Sequence, residues 1–169
     1  MIIRQEQTTD YPKIYNLVKI AFETAPVKDG DEQEYVNGLR ASNKYISELA
    51  LVAEESKLLI GHIMLTKLEI AGSVQSFQEL LLSPICVEFS NRNQGVGTAL
   101  IEESFRIATK MGYAAVFVLG DPSYYSRFGF VPTSDFSITN DGNIPQKYIM
   151  ARELFSGALK NKNGKIKLV

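Results

Sequence analysis

The sequence predicts an α/β domain built on a mixed, mostly antiparallel central sheet flanked by helices. Three features predict it. Between residues 49 and 87, apolar runs alternate with short polar turns, the pattern of consecutive antiparallel strands. Between Gly95 and Met111, apolar residues recur at helical spacing. From Ala114 to Leu119 the chain is continuously apolar, as in a strand covered on both faces. A strand, a helix and a strand imply a right-handed crossover, so 80–87 and 114–119 form a locally parallel pair.

The elements follow in order. Residues 2–5 open as a short strand. Thr8 or Asp10 caps a first helix, Pro12 is tolerated in its first turn, and Ile14, Leu17, Val18, Ala21 and Phe22 form its apolar stripe. Pro26 to Asp31 is a polar break, and a second helix carries Tyr35, Val36 and Leu39 before ending near Arg40-Ala41-Ser42. Leu49 to Glu54 and Leu58 to Ile70 pair across the turn Glu55-Ser56-Lys57. After Ala71-Gly72-Ser73 a strand runs from Phe77 to Val87, followed by a polar loop from Glu88 to Gln94. The next helix, Gly95 to Met111, puts Leu100, Ile101, Ser104, Ile107, Ala108 and Met111 on one face, and Gly112 ends it. A short helix around Ser123–Phe128 and a last strand near Tyr148–Leu154 complete a domain over 1–155. Residues 156–169, with Lys160, Lys162, Lys165 and Lys167, read as a solvated tail.

Composition narrows the function. A chain of 169 residues fits one domain. Its 18 basic and 19 acidic side chains nearly cancel, which argues against a general nucleic-acid binder. Cys86 is the only cysteine and His62 the only histidine, so neither an intrachain disulfide nor a Cys/His zinc cage is available, and no metal is expected. The longest apolar run, Leu58–Leu65, is broken by Gly61 and His62 and falls short of a membrane span. The opening Met1-Ile2-Ile3-Arg4-Gln5 lacks a signal pattern, so the expected compartment is the cytoplasm.

The most informative stretch is Arg92-Asn93-Gln94-Gly95-Val96-Gly97-Thr98. Glycines at a helix start let an anion approach the backbone, and the N–H groups of the first turn point at it, helped by the helix dipole. Arg92 adds charge and Thr98 a hydroxyl, making a pyrophosphate cradle built mostly of backbone. A P-loop is excluded because no glycine is followed by Lys and then Ser or Thr. A dinucleotide fingerprint lacks its third glycine, since position 100 is Leu100, and seven residues separate Val87 from Gly95. Asp121 only imitates the ribose-binding acid of such a site.

Arg92-x-x-Gly95-x-Gly97, after an apolar strand and before an amphipathic helix, resembles the acetyl-CoA signature of the GNAT superfamily of N-acetyltransferases. Tyr124-Tyr125-Ser126-Arg127-Phe128-Gly129-Phe130-Val131-Pro132 resembles that superfamily's closing segment. Leu119-Gly120-Asp121-Pro122, Leu82-Ser83-Pro84-Ile85-Cys86-Val87 and Gly61-His62-Ile63 are similar to one bacterial branch of predicted N-acetyltransferases. The likeness spans almost the whole chain. It departs in the loop, where members often carry an aromatic or acidic residue in place of Asn91 and a Pro near Phe89.

The resemblance implies the GNAT acyl-CoA N-acyltransferase fold, with the parallel strands splayed and the pantetheine arm of acetyl-CoA filling the opening. Ile85, Cys86 and Val87 would pair with its amides, and a backbone N–H near Val87 would meet the thioester oxygen. Arg92, Asn93, Gln94, Gly95, Val96, Gly97 and Thr98 would hold the pyrophosphate. Tyr125, four residues before Gly129, occupies the place of the acid that protonates the leaving thiolate, and it also contacts the cofactor; Tyr124 faces differently. The base that deprotonates the amine stays open among Glu79, Glu88, His62 and water. Cys86, between Ile85 and Val87, reads as a small buried hydrophobe, not a nucleophile. The expected activity is direct transfer of acetyl from acetyl-CoA to a primary amine on a small molecule or peptide, with neither nucleic acid nor membrane as partner and a homodimer left open. The rivals are a catalytically silent acyl-CoA-binding module, a different acyl donor such as succinyl-CoA, and an NAD-type oxidoreductase. The acidic run Asp29, Asp31, Glu32 and Glu34 suits either a cationic amine or an ordinary helix start.

Overall fold

The computed structural model describes residues 1–167. The chain divides into two compact units, Met1–Thr66 with Ser83–Ala108, and Lys67–Leu82 with Thr109 onward. Two long strands, β3 (Leu58–Gly72) and β4 (Phe77–Val87), run through both.

In the first unit, β1 (Ile2–Gln5) lies antiparallel to β2 (Ala50–Glu55), and β2 antiparallel to β3, with Ala50 opposite Met64. Ser56 and Lys57 close the second hairpin at φ of 50° and 66°, the left-handed pair that a two-residue turn needs to match strand twist. Helix α1 (Tyr11–Glu23) buries Ile14, Leu17, Val18 and Ala21. Asp10 does not cap it through its side chain. Its carboxylate accepts from the Gln7 N–H at 2.9 Å and from Arg4 at 2.7 Å, closing the preceding 3₁₀ turn instead. Helix α2 (Glu32–Arg40) carries Tyr35, Val36 and Leu39 and buries the i, i+3 series Gln33, Val36 and Leu39, which turns Tyr35 outward. The acidic run has local work: Glu32 accepts from the N–H groups of Asp29 and Gly30, and Glu34 from the Tyr15 hydroxyl. Helix α3 (Val96–Lys110) buries Val96, Leu100, Ile101, Ser104, Phe105 and Ala108, while Met111 lies beyond its end and is exposed. The core of this unit joins α1 and α2 to Ala50, Val52, Met64 and Cys86.

In the second unit, β4 runs parallel to β5 (Ala115–Leu119), in the register Leu80 to Val116, Leu81 to Phe117 and Leu82 to Val118. The other side of β5 pairs antiparallel with β8 (Ile149–Glu153), which in turn pairs with β6 (Val131–Pro132). Helix α4 (Pro122–Tyr125) and a 3₁₀ turn at Ser126–Phe128 make up the short helix after β5. Residues 156–167 correct the expectation of a solvated tail. Ala158, Leu159 and Ile166 are buried, and β9 (Gly164–Ile166) pairs antiparallel with the end of β3 and parallel with β7 (Ile138–Asn140). Leu159 and Ile166 pack with Leu68, Ile70, Phe117 and Ile149, so the end of a lysine-rich run joins the sheet through one buried apolar residue, Ile166, while Lys165 beside it points outward. The result is a mixed, mostly antiparallel sheet, parallel at β4–β5 and β7–β9, flanked by helices.

Among the described residues, no helix is long and apolar enough to cross a membrane, and no group of three or more His, Cys, Asp or Glu side chains is arranged to hold a metal.

Candidate active site

The glycine-rich turn is built as a loop that rises into α3. After β4, the Glu88 N–H donates to Ile60 O at 2.9 Å, and a 3₁₀ turn covers Phe89–Asn91. Asn93 and Gly95 then take φ of 60° and 83°. Gly95 needs that freedom, since a side chain there would find space but a strained backbone. The first bond of the helix runs from the Ala99 N–H to Gly95 O at 2.9 Å, so the N–H groups of Val96, Gly97 and Thr98 precede the ladder. Gln94 braces the loop through Ser90 O at 2.8 Å. Arg92, expected to supply charge to the anion, has its guanidinium on two carbonyls: Val87 O at 3.2 Å and Ala21 O, in the last turn of α1, at 2.8 Å. It also stacks on Phe89. Arg92 therefore ties the end of β4 and the end of α1 to the base of the turn.

The strand leading into this turn changes character after Leu82. Its parallel register covers Leu80–Leu82, and β4 continues to Val87. Pro84, after a cis peptide bond with Ser83, has no N–H to add to a ladder. Cys86 is buried between the half-buried Ile85 and Val87, and burial pushes its thiol up to about 12. A thiol held protonated in this way is a packing group of the core, not a nucleophile.

Within the second unit, α4 fixes the two tyrosines. Asp121 is its N-cap, accepting from the Ser123 N–H at 2.8 Å, which accounts for the acid that imitates a ribose ligand. The half-buried Tyr125 ring lies edge-on to Phe130 and to Tyr124, with centroids 5.7 and 4.9 Å away. It also crowds Gly120, where an added Cβ would stand 2.2 Å from the ring's Cε2. Only glycine admits the ring in that place. Burial, and then the neighbouring Tyr124, push the Tyr125 pKa upward, so the phenol keeps its proton. Tyr124 is exposed and carries the Arg127 guanidinium over its face at 4.3 Å.

The family model described as "Acetyltransferase (GNAT) domain" matches residues 2–133. The chain belongs to the GNAT acetyltransferases. It is 32% identical over 130 residues to the uncharacterized N-acetyltransferase YhbS of Escherichia coli (strain K12), covering 77% of this chain and 73% of that one. YhbS from Escherichia coli has been solved in complex with CoA; it superposes with a TM-score of 0.88 at 28% identity over 98% of this chain and 88% of the other. A GNAT acetyltransferase from Brucella melitensis, solved with acetyl-CoA, gives a TM-score of 0.78 at 26% identity over 98% and 93%.

For this GNAT domain, the candidate bases separate sharply. Glu79 is buried, and one of its oxygens accepts from the N–H groups of Ala114 and Ala115 at 3.0 and 3.1 Å, with Lys162 at 3.4 Å from the other. Those bonds make it a fixture at the start of β5. Glu88 is half-buried and accepts from the Ser90 hydroxyl. His62 is fully buried, with its Nε2 2.9 Å from Glu6. Glu6 also accepts from Arg40 at 2.7 and 2.9 Å and from the Tyr45 hydroxyl at 3.0 Å. No local signal marks Glu6, Arg40 or Tyr45 as a group, because their partners lie 34–56 residues apart. Gly120 was legible only as part of a family phrase, since the ring that requires it is supplied five residues later.

Proposed function

We propose that this acetyltransferase moves an acetyl group from acetyl-CoA directly to a primary amine. The observation that carries the reading is the turn at Asn93 and Gly95, which leaves three successive N–H groups at the start of a fifteen-residue helix without helical partners. The CoA and acetyl-CoA bound to the two similar proteins support it. Acetyl-CoA supplies the acetyl group as a thioester. Val96, Gly97 and Thr98 hold the pyrophosphate through their N–H groups, with Asn93, Gln94 and Gly95 shaping the turn and Arg92 bracing it. The backbone of Ile85–Val87 pairs with the pantetheine amides, and an N–H near Val87 donates to the thioester oxygen as charge develops there. Tyr125 hands its proton to the leaving sulfur as the C–N bond forms and the C–S bond breaks.

Binding is tested by thermal unfolding. CoA and acetyl-CoA should both raise the melting temperature and NAD should not; at 100 times the dissociation constant the gain is about 2.7 kcal/mol. No shift with millimolar CoA overturns the reading. Thiol release from acetyl-CoA across polyamines, amino acids, aminoglycosides and peptides then finds the acceptor. With an amine in hand, Tyr125→Phe should lower turnover roughly 10²–10⁴-fold while leaving the acetyl-CoA dissociation constant unchanged. Because burial raises this phenol above its ordinary pKa of about 10, both profiles should share one shape below that pH and differ in height. Wild-type turnover in Tyr125→Phe removes the acid role.

A further inference from the structure

His62 is the chain's only histidine, and it is fully buried on β3. Glu6 faces its Nε2. Burial pushes the Glu6 carboxyl up, but the hydrogen bonds of Arg40 and His62 outweigh it and hold the group at about 2, so it is ionised. An ionised carboxylate only accepts, so Nε2 carries the proton and donates it. In a neutral imidazole this leaves Nδ1 as a bare acceptor. Among the described residues, that atom is the one buried side-chain nitrogen or oxygen with no hydrogen-bond partner. A buried acceptor without a donor is costly, and it calls for a purpose or a partner.

Its position supplies one. The Glu88 N–H donates to Ile60 O at 2.9 Å and an added Cβ at Gly61 would stand 3.3 Å from Cys86 O, which sets this stretch of β3 alongside Ile85–Val87. On its other side Glu6 receives the hydroxyl of the half-buried Tyr45. We propose that Glu6 and His62 form a proton-accepting dyad, in which His62 Nδ1 takes up, through a bridging water, the proton that the acceptor amine must lose, while Glu6 holds the ring in the tautomer that leaves this nitrogen bare. The inference rests on the amine-transfer reading above. An ammonium of pKa about 10.4 must be deprotonated before it can attack. Converting ammonium and thioester to amide and thiol releases one proton overall. That proton rests on Nδ1 and returns to solvent, while the thiol's proton comes from Tyr125, which recovers it from the second N–H of the amine. Glu6 is the positioning residue.

The groups facing His62 suit a transit site. Glu6 follows β1, Arg40 comes from α2 and Tyr45 from the segment after it, Tyr11 of α1 lies under Arg40 at 4.1 Å, and Cys86 stands on β4. Burial lowers the His62 pKa, Glu6 opposes that and Arg40 adds to it, so the ring is neutral and ready to accept at neutral pH.

A lone histidine makes the test clean. In full-length protein labelled with ¹⁵N-histidine, the imidazole should show a protonated Nε2 and a bare Nδ1 at pH 7; an Nδ1–H tautomer overturns the dyad, whatever the variants do. In His62→Gln the side-chain amide can still donate to Glu6, but no atom replaces Nδ1. This variant should fold and keep its thermal shift with acetyl-CoA. Its kcat should fall roughly 10²-fold or more, and its rate should rise in proportion to hydroxide below the pKa of the amine. Wild-type kcat and pH profile in His62→Gln overturn the dyad and leave the transfer reading intact. A wild-type protein that binds CoA but acetylates no amine overturns the transfer reading itself. Should His62→Gln fail to fold, the tautomer measurement decides.

Discussion

Glu6 and Glu79 are both buried carboxylates, one in each compact unit, and different chemistry keeps each in place. Glu6 is surrounded by side chains that carry charge or titrate: Arg40 at 2.7 Å, His62 at 2.9 Å and the Tyr45 hydroxyl. Glu79 is held chiefly by backbone, the N–H groups of Ala114 and Ala115, at the point where β5 begins beside β4. Those two donors would otherwise be buried without acceptors. Glu6 is therefore needed for its charge, whereas Glu79 is needed for an oxygen. Each contrast has a measurable consequence.

The largest effect is expected at Glu6. Removing one member of a buried ion pair leaves its partner's charge uncompensated, and the Arg40 side chain is only 7% exposed. Glu6→Ala should cost about 3–5 kcal/mol in urea unfolding, and Glu6→Gln nearly as much, because Gln keeps the shape without the charge. A loss below about 1 kcal/mol would mean that Arg40 reaches solvent, and the contrast with Glu79 would collapse.

Acid should expose the same network in two stages. His62 is neutral in the fold with a lowered pKa, so the unfolded chain takes up its proton first, near 6.5; the stability tied to it is present above that pH and declines below it. Glu6 has its folded pKa depressed from 4.5 to about 2, so its contribution is complete above pH 4.5 and is lost as pH falls towards 2. That gap corresponds to about 3 kcal/mol. Urea midpoints between pH 8 and 3 should begin to fall near 6.5 in the wild type. In His62→Gln the decline should start only near 4.5. An unchanged onset in the variant would place the first stage elsewhere.

The same contrast explains what was legible in the sequence. The turn at Gly95 and the hairpin at Ser56-Lys57 are local: a few adjacent residues specify the backbone, so the letters suffice. The core faces of α1 and α3 were equally plain from periodicity, apart from Phe105 and Met111 at the edge of the α3 stripe. The partners of Glu6 and Glu79, and the Ala21 carbonyl that receives Arg92, lie 34–83 residues away in sequence, and no short pattern announces such meetings. Glu79 and His62 were visible as ionisable residues on strands, and both were candidates for the base; whether a carboxylate is free or occupied depends on who arrives opposite it. The lysine-rich stretch at residues 160–167 departs from its sequence pattern for a related reason. Its charges look like a solvated run, but β9 needs only one buried residue in its three, Ile166, to join the sheet.

The smallest effect is expected at Glu79, and it tests whether the oxygen or the charge is what the second unit needs. Both backbone N–H groups reach the same oxygen, Oε2, while Lys162 faces Oε1 at 3.4 Å from a side chain that is 39% exposed. A glutamine can turn its carbonyl to Ala114 and Ala115 and so keep both bonds. What it gives up is the extra strength of bonds to an ion, together with a partly exposed pair worth at most about 1 kcal/mol. Glu79→Gln should therefore cost about 1 kcal/mol, and Lys162→Met no more than that. Glu79→Ala leaves two buried donors unpaired at about 1–3 kcal/mol each and should be several times worse. If Glu79→Gln proves as damaging as Glu6→Gln, the charge matters in both units and the distinction fails. If Glu79→Gln and Glu79→Ala are equally mild, water reaches the start of β5 and the carboxylate is dispensable there. Only a small loss for Gln with a large loss for Ala agrees with a carboxylate acting as the missing acceptor of a strand.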